Sequence, residues 1–443
     1  MNTPIYDFVQ NYIKSNTARL HMPGHKGVSF LGCEQYDITE ITGADELYAP
    51  TGIIRESEEN ATRLFGTAKT VYSAGGSSQS INAMLYLAFL RADKTNRPYV
   101  VAGRNAHKSF IYALAKLDAD VKWLYPENSD SICSCIVTAE MLEKSLKEME
   151  YKPFAVYITS PDYLGGMSDI KSLSDICKKY DIPLLVDNAH GSYLKFCKND
   201  IHPISLGADI CCDSAHKTLP VLTGGGYLHV AKDDKYGFSE NVINAMAIFG
   251  STSPSYLILQ SLDLCNKYID EKIRQDIEYC AEKVADLRNF INSKGFGIVS
   301  CEPLKLTVDC HGSDLDFKCI LSENNIEYEY YDGDFIVFMF TPQNSQDDFD
   351  KLKKVFDSVE KTNENAHANI EIPVPERVMT IRQSVFTESE EIEIESSLNR
   401  ICATPTVSCP PAIPIAVSGE RISEKHIELF KKYKIDKIIV VKK

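Results

Sequence analysis

The stretch Ala208-Asp209-Ile210-Cys211-Cys212 leads straight into Asp213-Ser214-Ala215-His216-Lys217-Thr218, and Thr223-Gly224-Gly225-Gly226 follows shortly after. The apolar run predicts a buried strand, and the polar residues after it predict a loop at the strand's carboxyl end that holds Lys217. Most lysines are solvated surface charges, so Lys217 gains meaning only from its company. Upstream, Pro183-Leu184-Leu185-Val186 reads as a second buried strand, ending in Asp187-Asn188-Ala189-His190-Gly191. Short apolar runs with polar carboxyl ends suit a parallel sheet, and open α/β sheets bind ligands at that edge.

A lysine that can bond an aldehyde and an aspartate that can hold a pyridinium proton are two groups that pyridoxal phosphate requires of a protein. The third is an anion cradle. Val71-Tyr72-Ser73-Ala74-Gly75-Gly76-Ser77-Ser78 precedes the apolar, helix-length segment Ile81 to Leu90. Glycines and hydroxyls therefore fall at a helix N-terminus, where free N–H groups and the helix dipole favour an anion. Taken alone the run is an ordinary turn and cap. In the order cradle, aspartate, lysine it reads as a phosphate site. His107, in Gly103-Arg104-Asn105-Ala106-His107-Lys108-Ser109, follows the strand-like Tyr99 to Ala102 and can stack on a ring face opposite Ala189.

These motifs resemble the Orn/Lys/Arg decarboxylase family of pyridoxal-phosphate enzymes, in its short form without an N-terminal receiver-like domain. The resemblance extends through Leu20-His21-Met22-Pro23-Gly24-His25-Lys26-Gly27, Asp37-Ile38-Thr39-Glu40, Thr159-Ser160-Pro161-Asp162-Tyr163, Ser251-Thr252-Ser253-Pro254-Ser255-Tyr256, Pro410-Pro411-Ala412-Ile413-Pro414 and Gly419-Glu420. It implies an aspartate aminotransferase-like α/β fold with a mostly parallel, doubly wound sheet and a smaller C-terminal α+β domain. It further implies pyridoxal phosphate held by Lys217 as a Schiff base, by Asp187 at the ring nitrogen and by His107 on the ring. Gly76, Ser77, Ser78, Ser214 and His216 would take the phosphate, with Ser251 and Thr252 reaching it from a neighbouring subunit of a homodimer. Asn188, Ala215 and Gly225 depart from residues usual in the family.

The activity so implied is decarboxylation of arginine, lysine or ornithine, with Lys217, His190 or His107 moving the proton that replaces the carboxylate. A cationic side chain requires acidic partners, and bidentate pairing suits a guanidinium. Glu40, Asp45, Asp162 and Glu420 are the candidates. The rival is an aminotransferase, which commonly clamps the α-carboxylate with an arginine such as Arg377, Arg382 or Arg421. A non-catalytic cofactor-binding protein is disfavoured by the presence of both Lys217 and Asp187.

Composition fits an enzyme of the cytoplasm. The chain has 443 residues, 44% of them hydrophobic and 25% charged, and a formal net charge of -15. That charge argues against nucleic acid or anionic membranes as partners. The fourteen cysteines match no zinc spacing, Met1 to Lys14 shows no signal peptide, and no apolar run reaches membrane-spanning length.

Alternating strand-like and helix-length segments predict an arm over 1–50 and a large domain over 51–294, with a long helical connector over Ile258 to Asn292. A C-terminal α+β region covers 295–443, with strands at Lys305 to Asp309, Ile326 to Tyr331 and Phe335 to Phe340, and a linker near 361–369. The acidic run Glu388 to Glu395 predicts a solvated helix face or helix start.

Overall fold

The computed structural model describes residues 1–126, 130–359, 370–407 and 413–443. The linker expected near 361–369 and the Pro410-Pro411-Ala412 motif lie outside the described residues. Two compact units form: Met1–Arg91 with Cys177–Ile277, and Ala92–Ile176 with Glu278–Lys443.

In the first unit four strands lie in the order Lys69–Ser73, Gly226–Val230, Ile210–Asp213, Leu184–Asp187. The last two are parallel, with Asp187 opposite Cys212. Strand Gly226–Val230 runs antiparallel to both of its neighbours. All four residues of Leu184–Asp187 and of Ile210–Asp213 are buried, which is why both read as continuous apolar runs rather than alternating ones. Helix Gly76–Leu90 buries most of its length, as the apolar residues from Ile81 onward, interrupted only by Asn82, dictate. Helix Ile53–Phe65 ends at Gly66, whose φ of 69° is the left-handed conformation that glycine adopts without a Cβ penalty. The expected long connector is two helices, Tyr256–Glu271 and Ile273–Ser293, broken at Lys272.

The second unit holds three parallel strands in the order Ala155–Thr159, Tyr99–Gly103, Asp120–Leu124. Its remaining sheet is antiparallel, in the order Tyr330–Tyr331, Phe335–Met339, Lys305–Asp309, Gly297–Ile298. Helices Phe317–Glu323 and Gln346–Ser358 accompany it, the latter opened by a Ser345/Asp348 capping box. The strand foreseen over 326–331 shortens to Tyr330–Tyr331. A mixed α/β fold with mostly parallel strands and a C-terminal α+β region is thus what the chain adopts.

The acidic run corrects its expectation. Ser389–Glu393 is a strand, paired antiparallel with Lys437–Val441. The charges are neutralised across strands rather than along a helix: Lys437 lies 3.4 Å from Glu393, Lys442 3.4 Å from Glu388, and Arg400 2.6 Å from Glu390. Opposite charges placed cross-strand stabilise a sheet much as i,i+4 pairs stabilise a helix. Among the described residues no helix is long and apolar enough to cross a membrane.

Candidate active site

The candidate site begins at the carboxyl ends of the two buried parallel strands in the first unit. Leu184–Asp187 delivers the Asp187 carboxylate almost fully buried, where its Oδ1 accepts the Ala189 N–H at 3.2 Å and faces the Cys212 thiol at 3.5 Å. Ile210–Asp213 passes through Ser214 into the one-turn helix Ala215–Thr218, which carries Lys217. The Lys217 Nζ lies 2.9 Å from His190 Nε2, so the loops after both strands meet at these two side chains. An amine against an imidazole is an arrangement that can pass a proton.

The turn and helix expected of an anion cradle lie where the glycines and hydroxyls fall. Strand Lys69–Ser73 turns through Ala74 and Gly75 into helix Gly76–Leu90, whose first turn contains Ser77 and Ser78. Gly76 has φ +63°, and its N–H donates to Gly224 O at 2.7 Å. A Cβ on Gly226 would come within 2.7 Å of Asp213 O and 3.4 Å of the Gly76 carbonyl carbon. The Thr223–Gly226 run is glycine-rich because three backbones approach one another there. The His216 N–H and Nδ1 both engage Gly225 O, at 3.1 and 2.9 Å, and a Cβ on Gly76 would sit 3.5 Å from His216 Cε1. Burial lowers the His216 pKa, and the Lys217 charge adds to that. The Ser214 hydroxyl, on a residue 1% exposed, and that of Thr218 are buried without a hydrogen-bond partner. Buried hydroxyls without a partner, on the loop that joins this helix N-terminus, are suited to an anion.

Other candidates belong to other elements. Ser251 and Thr252 are on an exposed loop after helix Phe238–Phe249, with Ser251 Oγ accepting the Ser253 N–H. The base of that loop touches the cradle helix: a Cβ on Gly250 would fall 1.9 Å from Tyr48 Oη and 2.5 Å from Gln79 Nε2. Gln79 Nε2 donates to Tyr48 Oη at 2.8 Å, while its Oε1 accepts from Ser73 Oγ and the Gly75 N–H. His107 belongs to the second unit, where its Nδ1 accepts the Ser109 N–H and caps helix Lys108–Leu117.

Three of the four acids proposed for a cationic side chain are engaged within the fold. Asp45 accepts the backbone N–H groups of Thr51, Gly52, Ile54 and Arg55, capping helix Ile53–Phe65. Asp162 is buried and accepts from Ser134 Oγ at 2.6 Å and the Gly166 N–H at 2.7 Å; burial pushes its pKa up to about 6 against these hydrogen bonds. Glu420 is buried against Arg104 at 3.3 Å and accepts the Val417 N–H, while Arg104 also donates to Pro414 O and Ile415 O. Only Glu40, exposed and bonded to its neighbour Thr39, has no such structural duty among the four. Glu420→Gln is expected to strand the buried Arg104 charge and cost about 3–5 kcal/mol of stability. The check is a lowered Tm with unchanged preference among basic substrates.

The arginines proposed as carboxylate clamps are committed too. Arg377 pairs with Asp120 at 3.3 Å, Arg382 donates to Ala115 O and Lys116 O, and Arg421 pairs with Glu376 at 2.8 Å.

Sequence reasoning missed a cluster beneath the strand ends. Asp213 is fully buried, and its Oδ2 faces His202 Nε2 at 3.0 Å and His229 Nε2 at 3.2 Å. Burial raises the pKa of this carboxyl, but the two imidazoles outweigh it and hold the group well below the usual range. The signal available was an aspartate closing an apolar strand, with histidines at 202 and 229 on segments that fold back to it.

The model of the family described as Orn/Lys/Arg decarboxylase, major domain, matches residues 3–353, and that of its C-terminal domain matches 361–434. An arginine decarboxylase of Bacillus subtilis (strain 168) is 29% identical over 96% of this chain and 92% of its own length. Among solved structures, a Francisella novicida lysine decarboxylase superposes with TM-score 0.81 at 15% identity, covering 99% of this chain and 81% of its own. A chain described as SPT with PLP superposes with TM-score 0.54 at 16% identity, covering 68% of this chain and 75% of its own.

Proposed function

Because the chain belongs to the Orn/Lys/Arg decarboxylase family, we propose that it removes the α-carboxylate of a basic amino acid as carbon dioxide, with pyridoxal phosphate as cofactor. The observation that carries the reading is the junction of two loops. The loop bearing Lys217 is hydrogen bonded through Gly224 and Gly225 to the glycine turn that opens the helix of Ser77 and Ser78. In this reading reactive amine and anion cradle share one surface, with Asp187 on the adjoining strand end.

The residues present fit the cofactor. Lys217 Nζ would bond its aldehyde carbon, Asp187 its ring nitrogen, and Ala189 would lie against one face of the ring. Gly76, Ser77, Ser78, Ser214 and His216 would take its phosphate. When bound, pyridoxal phosphate supplies the conjugated cationic ring that accepts the electron pair left by carbon dioxide. The buried Asp187 carboxylate would hold the proton on the ring nitrogen. Lys217 and His190, 2.9 Å apart, share the proton that must be delivered to the α-carbon in place of the carboxylate. His216 gives its Nδ1 to Gly225 O, which leaves Nε2 to take a proton as the phosphate arrives.

Arginine is the first substrate to test, supported by the full-length Bacillus relative, and Glu40 is the first acid to test for its guanidinium. Carbon dioxide release should be measured side by side with arginine, lysine and ornithine. The expected result is turnover of at least one, with arginine fastest. Purified protein loaded with pyridoxal phosphate that releases none from any of the three would overturn the reading. Transamination is not favoured, since Arg377, Arg382 and Arg421 are each engaged within the fold.

The active unit in this reading is a homodimer or larger, with Ser251 and Thr252 completing a neighbour's phosphate site. Lys217→Ala and a Ser251→Ala/Thr252→Ala double variant, each inactive alone, should restore activity when co-expressed. One site of a mixed dimer then holds intact groups from both chains. Confirmed mixed dimers without recovery would remove the shared site. The reading assigns cofactor binding to 51–294, between the arm over 1–50 and the C-terminal region over 295–443. It also places the enzyme in the cytoplasm, which suits the thirteen described cysteines, none of which forms a disulfide with another.

A further inference from the structure

We propose that Asn188 is a positioning residue whose amide, anchored on the buried Asp213 carboxylate, fixes the spacing of the two strand ends that carry Asp187 and Lys217. The inference rests on the reading that these two residues hold the cofactor.

Asn188 comes directly after Asp187 and is fully buried. Its backbone N–H donates to Cys212 O at 3.0 Å, which extends the parallel ladder one residue past the strand end. Its Nδ2 then donates to Asp213 Oδ1 at 2.7 Å. Main chain and side chain together clamp the two strands where the candidate groups leave them. The amide is also packed from behind: a Cβ on Gly191 would fall 2.0 Å from Asn188 Oδ1.

The chemistry at 188 follows from what Asp213 already holds. Two imidazoles present Nε2–H to Oδ2. His202 Nδ1 accepts the Ile204 N–H, and His229 Nδ1 faces the Thr70 hydroxyl at 2.8 Å, so in both rings Nε2 is the donor. The Phe65 ring packs over His229, with centroids 4.3 Å apart, and beside His202 at 5.8 Å. Oδ1 is left with the Cys211 thiol, a weak donor at 3.6 Å, and the Asn188 amide. A carboxylate at 188 would face a second carboxylate without water between them, and the two negative charges would repel. An apolar residue there would leave Oδ1 under-donated. A neutral donor of this length satisfies the hub without adding charge beneath the site.

An amide–carboxylate pair has a direction, so it can be reversed. In the double variant Asn188→Asp/Asp213→Asn the charge is conserved. The new amide at 213 donates to the new carboxylate at 188, while its oxygen stays where His202 and His229 donate. The other ionisable groups facing Asp213, namely Cys211, Cys212 and Tyr227 with the two histidines, are the same in every variant.

The experiment titrates cofactor-free protein with pyridoxal phosphate and follows visible absorbance. It also records the pH midpoint of that absorbance and the Tm of the cofactor-free form. Asn188→Asp is expected to weaken cofactor binding by at least roughly tenfold and to move the midpoint to higher pH, because a second buried negative charge favours protonated cations nearby. The reversed pair should bring affinity back to within about threefold of wild type, and the midpoint with it. Asn188→Ala, which removes the donor without adding charge, should weaken binding and leave the midpoint in place. If Asn188→Asp is insoluble, a soluble reversed pair with wild-type affinity supports the proposal equally. A role confined to general stability would lower Tm and affinity with no shift of midpoint in Asn188→Asp, and that result overturns the proposal. So does a folded reversed pair that does not recover. Wild-type protein that shows no Lys217-dependent absorbance would instead overturn the functional reading itself.

Discussion

Lys217→Ala is expected to abolish the visible absorbance of the protein saturated with pyridoxal phosphate and to lower decarboxylation by on the order of 10^4-fold. The lysine has two tasks in the proposed reaction: holding the cofactor aldehyde between turnovers, and carrying the proton that replaces the carboxylate. A methyl group performs neither. The loss is not the sum of two independent terms, since both tasks use the same Nζ. Folding should survive, because the short helix Ala215–Thr218 is held by the backbone bonds of His216 to Gly225 and Leu219 to Ala215, which an alanine at 217 leaves intact. Borohydride reduction of wild-type protein followed by peptide mapping should label the peptide containing Lys217. A label on another lysine, or persistent absorbance in the variant, would sink the assignment.

Much of this site was legible because its parts lie at the ends of elements whose burial writes itself into the sequence. Leu184–Asp187 and Ile210–Asp213 are covered on both faces, so their sequences are continuous apolar runs, and the first polar residues after them mark the site edge. The Gly75-Gly76-Ser77-Ser78 turn was readable for a similar reason: a backbone that must pass close to another at positive φ selects glycine. What escaped was partnership across the sequence. Asp45 and Glu420 look like free acids beside family-like motifs, yet one caps a helix and the other neutralises Arg104, a residue distant in sequence. Nothing local distinguishes a carboxylate that waits for a ligand from one that already has a partner. The same limit hid the strand pairing of Ser389–Glu393, whose charges are balanced by lysines near the end of the chain. Strand Asp120–Leu124 also passed unread, because it pairs with Tyr99–Gly103 and its sequence mixes Asp120, Lys122 and Trp123 among apolar positions. The Asp213 cluster belongs with these cases, since His202 and His229 meet only through the fold.

Asp187 offers the sharper test of mechanism, because its loss should separate turnover from cofactor binding. The carboxylate is buried at a strand end, with Oδ1 accepting the Ala189 N–H, and in the proposed site its charge holds a proton on the ring nitrogen. That proton makes the ring an electron sink. Without it the electron pair released by carbon dioxide has a far weaker acceptor, while the covalent hold of Lys217 and the phosphate contacts remain. Asp187→Ala should therefore retain most of its pyridoxal phosphate and lose on the order of 10^2–10^3-fold in turnover, the scale associated with removing one preorganised electrostatic contact to a developing charge. Asp187→Asn serves as the control for packing, since its side-chain oxygen can still accept the Ala189 N–H at nearly unchanged volume. If charge is the reason for the loss, the asparagine variant falls as far as the alanine one while its Tm stays near wild type. If the asparagine variant keeps near-normal turnover, the carboxylate serves the fold through Ala189, and the ring nitrogen must find its proton from another residue.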